Sequence, residues 1–159
     1  MPRLRPLTAV PLALALALLV GGFLPGALQA QEASPEANYR ATVMQGIRYH
    51  FGALRLLTGG GVDLPSHVVH HASSLETLSE LAHDIFPEGS GGDATRALPA
   101  IWTDPEGFQE KLEAFQSAAA ALHQAAEAAN ADAVGSGVRE VGSTCSACHD
   151  DYRADSGQQ

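Results

Sequence analysis

The stretch that decides the fold is DAVGSGVREVGSTCSACHDDYRAD, residues 132–155. Apolar side chains recur in it at intervals of three and four residues, the period of one face of an α-helix. That face consists of Val134, Val138, Val141, Cys145, Cys148 and Tyr152. Gly135, Gly137 and Gly142 each cost such a helix up to about 1 kcal/mol relative to alanine. The stretch therefore predicts a helix that needs stabilisation from outside itself.

Two earlier segments have the same helical period. In the first, Ser34 can cap the helix, Pro35 suits its first position, and residues 59–61, all glycine, stop it. The second is predicted to begin near Ser66 and to end at residues 86–89. Neither segment alternates like a strand.

A third segment repeats the cap-and-proline signature at Asp104 and Pro105 and is predicted to end at Asn130. The connection before it, residues 87–103, contains Trp102, which we interpret as a packing residue. Four amphipathic helices with mostly short connections pack best as an antiparallel bundle around a shared core. The predicted fold is therefore all-α, one antiparallel four-helix bundle.

The N-terminal residues 1–30 are predicted to be a secretory signal peptide, which leaves residues 31–159 as the single bundle domain. Arg3 and Arg5 precede an apolar run, and Ala30 offers a small residue for cleavage. The alternative is a retained membrane anchor, but the run is shorter than the roughly 20 residues that a spanning helix needs. We expect an exported, periplasmic protein that is not embedded in the membrane after cleavage.

The chain is acidic, with 9 basic and 18 acidic residues and a formal net charge of −9. This balance argues against nucleic acid as a partner, because Lys and Arg must replace the counterions along the phosphates. It suits solubility and a positively charged partner, although an acidic surface is often merely a solvated one.

Cys145-Ser146-Ala147-Cys148-His149 has the C-x-x-C-H pattern by which c-type haem is attached through two cysteines. Residues three apart share a helix face, so both sulfurs can meet one porphyrin edge while the next imidazole reaches the iron. The pattern predicts one haem c per chain, with Cys145 and Cys148 as covalent anchors and His149 as the proximal iron ligand. The buried group would stabilise the glycine-containing helix.

Three other interpretations of this motif are weaker. A disulfide-exchange pair is typical of a strand-rich βαβ context, which the sequence lacks. A structural zinc site needs further ligands, and the chain has only 2 cysteines. An inert disulfide would leave the adjoining histidine unexplained.

The predicted helices and three motifs resemble those of the class II c-type cytochromes, the family of cytochromes c prime. The motifs are Tyr39-Arg40, Pro99-Ala100-Ile101-Trp102 and the C-x-x-C-H motif near the end of the last helix. One branch of this family has a five-coordinate iron with an open distal face, and a low-spin branch has methionine as sixth ligand. The segment 39–54 is more similar to the low-spin branch.

The resemblance implies roles for three further residues. Arg40 would pair with a haem propionate, and its alternative is a plain surface arginine. Met44, one turn later, would be the distal iron ligand, and its alternative is a methionine that fills the core. Arg153 would lie beside the proximal face of the haem, where a solvent-exposed charge at the helix end is the alternative.

With Met44 bound to iron, the expected function is one-electron transfer between redox partner proteins, since a thioether favours ferrous iron. With Met44 unbound, the alternative is a gas-binding protein that takes NO or CO and protects against nitrosative stress. We do not expect an enzyme, because the distal helix offers no acid-base pair. A homodimer through the first two helices is implied by the resemblance alone.

Other histidines are rivals for a metal. His67 and His71 have helical spacing and could hold a divalent ion together, with His70 beside them. A pair lacks a third ligand, so a solvated polar face is the simpler interpretation. His50 lies six residues after Met44, not quite on the same face.

Overall fold

The computed structural model describes residues 32–155, and the predicted signal peptide lies outside that range. The five helices are α1 (Pro35–Thr58), α2 (Ser66–Leu81), α3 (Ala100–Thr103), α4 (Pro105–Glu127) and α5 (Ala131–Tyr152). Within residues 32–155 the only extended pairing is an isolated antiparallel bridge between Ala97 and Arg153. The all-α prediction is confirmed. None of the helices in this range is long and apolar enough to cross a bilayer.

The starts of α1 and α4 lie where the sequence predicts them. The Ser34 side chain accepts a hydrogen bond from the Ala37 backbone N–H (3.2 Å), and Asp104 accepts one from Gly107 (3.2 Å). Each cap satisfies an N–H group that has no partner within its helix. A proline follows each cap, where its missing N–H costs nothing.

Three predicted helix ends are wrong. Helix α5 ends at Tyr152 rather than at residue 155, because Arg153 is extended and pairs with Ala97. The second helix ends at Leu81 rather than at residues 86–89, because residues 82–84 form tighter turns by bonding to carbonyls three residues back. The helix before α5 ends at Glu127, and Asn130 instead caps α5 by accepting a hydrogen bond from Ala133. Asparagine is common at either end of a helix, so its sequence signal is ambiguous.

The short helix α3 was not predicted, because four residues are too few for a periodic pattern. It carries Trp102, whose indole N–H donates to the Phe86 carbonyl (3.1 Å) and whose ring packs against the core. A Cβ at Gly91 would lie 2.9 Å from this ring, so the connection before α3 crosses directly over it. Trp102 thus anchors the long connection, as expected of a packing residue.

Side-chain pairs show that neighbouring bundle helices are antiparallel. On α4 and α5, the rings of Phe108 and Tyr152 meet at one end, and Leu122 lies against Gly137 further along. On α2 and α4, Gln116 donates to the Ser79 carbonyl, while His123 and Glu76 form a hydrogen bond. In each case a later residue on one helix meets an earlier residue on the other.

All four long helices contribute to one core. Each supplies one large side chain that is 0% exposed, and these are Leu54, Leu75, Leu122 and Val141. Burying a side chain of this size stabilises the fold by about 1.5–3 kcal/mol. The predicted apolar stripes therefore face one another as a bundle requires.

Candidate haem site

The C-x-x-C-H motif occupies the last turns of α5. Cys145 and Cys148 are partly buried free thiols that pack against the core cluster. Burial raises the pKa of both thiols, that of Cys148 to about 11. The two sulfurs lie three residues apart on one face of the helix, as attachment to one porphyrin edge requires.

The His149 imidazole is partly buried beside them. Burial, together with the positive charges of Arg153 and Arg96, lowers its pKa to about 4. The ring is consequently neutral at pH 7, and a neutral imidazole has the free lone pair that a metal ligand needs.

Helix α1 faces this end of α5 but packs against it much less extensively than α4 does. The two helices meet where the Phe51 ring would lie 3.2 Å from a Cβ on Gly142. The start of α1 lies near the end of α5, because Arg40 bonds to Thr95 and the nearby Ala97 pairs with Arg153. Helices α1 and α5 are therefore antiparallel.

This register brings Met44 to the level of His149. Met44 comes seven residues before Phe51, and His149 comes seven residues after Gly142. Since every α-helix rises by the same amount per residue, the two residues lie at the same height on facing helices. The Met44 side chain is partly buried against the core cluster. A flat ligand held by the end of α5 would lie between these two residues.

Arg40 is held by the protein itself. The residue is 5% exposed, and its guanidinium carbon lies 5.0 Å from the Phe86 ring centre. Nη1 donates to the Ile85 carbonyl (3.1 Å) and the Ser90 hydroxyl (2.8 Å), and Nη2 donates to the Ser90 carbonyl (2.7 Å) and Thr95 (3.0 Å). The alternative of a plain surface arginine is wrong, and the propionate pairing stays a prediction.

Arg153 follows the last residue of α5 in extended conformation, with an exposed side chain. The chain around it is fixed by Arg96, whose Nε and Nη2 both donate to the Ala154 carbonyl (2.8 and 2.6 Å). Two backbone bonds, Leu98 to Tyr152 and Ala154 to Arg96, complete the connection. Arg153 thus stays near enough to His149 to repel a proton from it.

The residues present fit a covalently attached haem. The end of α5 carries two partly buried cysteines and a neutral imidazole, and α1 carries a partly buried thioether. A bound haem would also supply the stabilisation that α5 lacks. Two of the helix's glycines have a second explanation: Gly137 and Gly142 admit the side chains of Leu122 and Phe51 so closely that a Cβ would crowd them.

Sequence reasoning missed the residues that hold the site together. Ser90 and Thr95 bind Arg40 from 50 and 55 residues away, and Arg96 binds Ala154 from 58 residues away. A serine, a threonine or an arginine in a connection carries no local signal for such a partner. Gly142 was visible as an unfavourable helix residue, but its contact with Phe51 was not.

Comparison with known proteins identifies the family. The sequence pattern of the family described as Cytochrome C' matches residues 36–153. The chain belongs to the cytochrome c' family. A cytochrome c' of Rhodospirillum rubrum is 34% identical over 129 residues, spanning 79% of this chain and 88% of that protein. A cytochrome c' of Alcaligenes xylosoxydans xylosoxydans is 35% identical over 127 residues, spanning 77% and 98%.

Solved structures of cytochromes c' have the same fold. One from Rubrivivax gelatinosus has a TM-score of 0.72 at 27% identity and covers 79% of this chain and 100% of its own. A nitric oxide complex of a mutant cytochrome c prime from Alcaligenes xylosoxidans has a TM-score of 0.73 at 30% identity, covering 80% and 99%. The predicted four-helix bundle and the single covalent haem c are confirmed. The narrower prediction of the low-spin branch has no support from these relatives.

Proposed function

We propose that this cytochrome c' binds small neutral gases, NO or CO, at a haem iron that Met44 does not ligate. The observation that carries this proposal is the packing of Met44, whose side chain fills space against the core cluster. Relatives named cytochrome c' typically hold a five-coordinate iron, and a similar structure is a nitric oxide complex. This reverses the preference for an iron-bound Met44 that the sequence alone suggested.

The chain's own residues suit that role. Cys145 and Cys148 would anchor the haem, and the neutral imidazole of His149 would bind the iron on the proximal side. When bound, the haem supplies an iron with one open position for a diatomic ligand. On the distal side, Met44 is apolar, and the terminal N–H groups of Arg40 already donate to the protein. An anion or water would find few partners there, whereas NO and CO need none.

One-electron transfer is the second candidate. It is favoured by the height that Met44 shares with His149, where a thioether could close the distal side and raise the reduction potential. A cytochrome c-554 of Cereibacter sphaeroides is 38% identical over 86 residues, which is 52% of this chain. In electron transfer, the partners of the present chain would be redox proteins, recognised in part through its acidic surface.

We further propose that the protein works in the periplasm after removal of residues 1–30, and that it is not an enzyme. A haem iron with an open distal position and apolar residues beside it would bind a gas, and such binding needs no acid-base pair. The homodimer implied by the resemblance stays a prediction.

The deciding experiment is optical spectroscopy of the purified holoprotein, ferric and ferrous, with and without CO and NO. Gas binding predicts a high-spin wild type that takes up CO, with the same spin state in the Met44→Ala variant. Electron transfer predicts a low-spin wild type that ignores CO and a high-spin Met44→Ala variant that binds it. The second pattern would overturn the gas-binding proposal, and Met44→Leu controls for lost volume.

A further inference from the structure

Two histidines meet between α1 and α2, outside the haem site. The Nδ1 atoms of His50 and His71 are 3.0 Å apart, their ring centres 5.2 Å apart and their planes inclined by 56°. Both side chains are partly buried, and 21 residues separate them in the sequence. The helical spacing of His67 and His71 was visible in the sequence, but the partner that completes a cross-helix pair, His50, was not.

The 3.0 Å between the two nitrogens is a hydrogen-bond distance, and it also matches two nitrogens that share a metal ion. Two nitrogens bound to one zinc ion at about 2.0–2.1 Å in tetrahedral geometry lie about 3.3 Å apart. Around a square-planar copper ion with similar bond lengths the separation is about 2.9 Å. The observed 3.0 Å between the Nδ1 atoms falls between these values.

The His71 ring also has the charge state that a metal ligand needs. Burial lowers the pKa of His71, and the neighbouring imidazoles of His50, His67 and His70 lower it further. The His71 imidazole is therefore neutral at pH 7 and can offer a lone pair to a metal ion.

We propose that His50 and His71 form a two-histidine site for a divalent transition-metal ion such as Zn²⁺ or Cu²⁺. Both imidazoles bind as neutral ligands through Nδ1. The proton that the pair shares moves to Nε2 of its donor ring through solvent, so no net proton is released. Water completes the coordination shell, because residues 32–155 contain no group of three or more His, Cys, Asp or Glu side chains arranged around one ion.

Such an ion would clamp α1 to α2 and stay separate from the haem. His50 lies six residues after Met44, about 9 Å further along α1. His67, one turn before His71 on α2, is exposed and could add a weaker third contact. The expected effect is stabilisation of the folded state in proportion to metal concentration.

The test is calorimetric titration of tag-free holoprotein with Zn²⁺ for the wild type and the variants His50→Ala, His71→Ala and His83→Ala. His83 is the control, because it is exposed and bonded only to its neighbour Asp84. We expect one Zn²⁺ per chain for the wild type and the control. Loss of either ligand should weaken binding by at least the roughly tenfold that even outer-shell changes cost.

A second readout keeps the proposal testable if an alanine variant folds poorly. Zn²⁺ should raise the melting temperature of the wild type but not of His50→Gln or His71→Gln, which retain most of the side-chain volume. The haem spectrum should stay unchanged, which excludes binding at His149. Absence of saturable binding to the wild type, or equal affinity in the histidine variants and the control, would overturn the proposal.

Discussion

Helix α5 packs against two neighbouring helices, extensively against α4 and much less against α1. Toward α4 it is packed tightly: a Cβ on Gly137 would come within 3.1–3.3 Å of Leu122, and the rings of Phe108 and Tyr152 meet edge to face. Toward α1 the helices meet closely at Phe51 and Gly142 but otherwise pack much less. The cysteines and histidine of the haem motif lie beyond that contact. The contact with α4 is the more extensive one, and the haem motif follows the short contact with α1 toward the end of the helix.

The difference shows that the two contacts of one helix rest on different interactions. The side toward α4, the packed side, includes the contacts of Phe108 with Tyr152 and of Leu122 with Gly137. On the side toward α1, the open side, the contacts at the end of the helix are polar. Arg40 donates hydrogen bonds to the segment 85–95, and Arg96 donates to Ala154 just after the end of α5.

The largest loss of stability is expected from a change to Arg40, which forms the polar contacts at the end of the open side. Arg40→Met retains the length of the side chain but removes four hydrogen bonds, which leaves the Ile85 and Ser90 carbonyls without those donors. We expect the free energy of unfolding of the holoprotein to fall by about 3 kcal/mol in denaturant titration. Arg48→Met, at an exposed position of the same helix, should change it by no more than about 0.5 kcal/mol. Equal losses of unfolding free energy in the two variants would show that the hydrogen bonds of Arg40 do not stabilise this end of the bundle.

An intermediate effect is expected on the packed side. Gly137→Leu forces atoms against the side chain and backbone of Leu122, which should cost about 1–3 kcal/mol. Gly135→Leu is the matched control, because the nearest atom to a new Cβ there is Arg139 Nη1 at 3.8 Å. That variant should gain up to about 1 kcal/mol from helix propensity. Thermal unfolding of both variants compares them, and a stabilising Gly137→Leu would contradict close packing.

The smallest effect is expected where α5 meets the start of α4. Tyr152 donates a hydrogen bond to Asp104 (2.7 Å), which raises its pKa from 10.0 to about 12. The folded state therefore holds this proton more tightly than the unfolded state does. The bond stabilises the fold fully below about pH 10 and loses its contribution as the pH rises to about 12.

Tyr152→Phe should consequently lower the melting temperature slightly at pH 7, and the difference from wild type should shrink as the pH rises through this range. Tyr49→Phe is the control, since Tyr49 is 61% exposed. A difference that persists unchanged at high pH would mean that ring packing against Phe108, rather than the hydrogen bond, accounts for the effect.

Much of the fold was predictable because its signals are local. Ser34 and Asp104 cap their helices as predicted, and a residue within four positions supplies the partner in each case. The end of α2 and the role of Asn130 as a cap could not be predicted from such local signals. Ala82 and Ile85 are buried beyond the end of α2, so the apolar pattern continues although the helix does not.

The sequence by itself determined the helical architecture, the haem motif and the family resemblance, because periodicity, caps and C-x-x-C-H are readable within a few residues. Only the tertiary structure decided which distant side chains meet. It joined Arg40 to Ser90, brought Met44 to the height of His149 and paired His50 with His71. Such contacts depend on the register between antiparallel helices, and register is set by the packing of whole faces rather than by any short stretch of sequence.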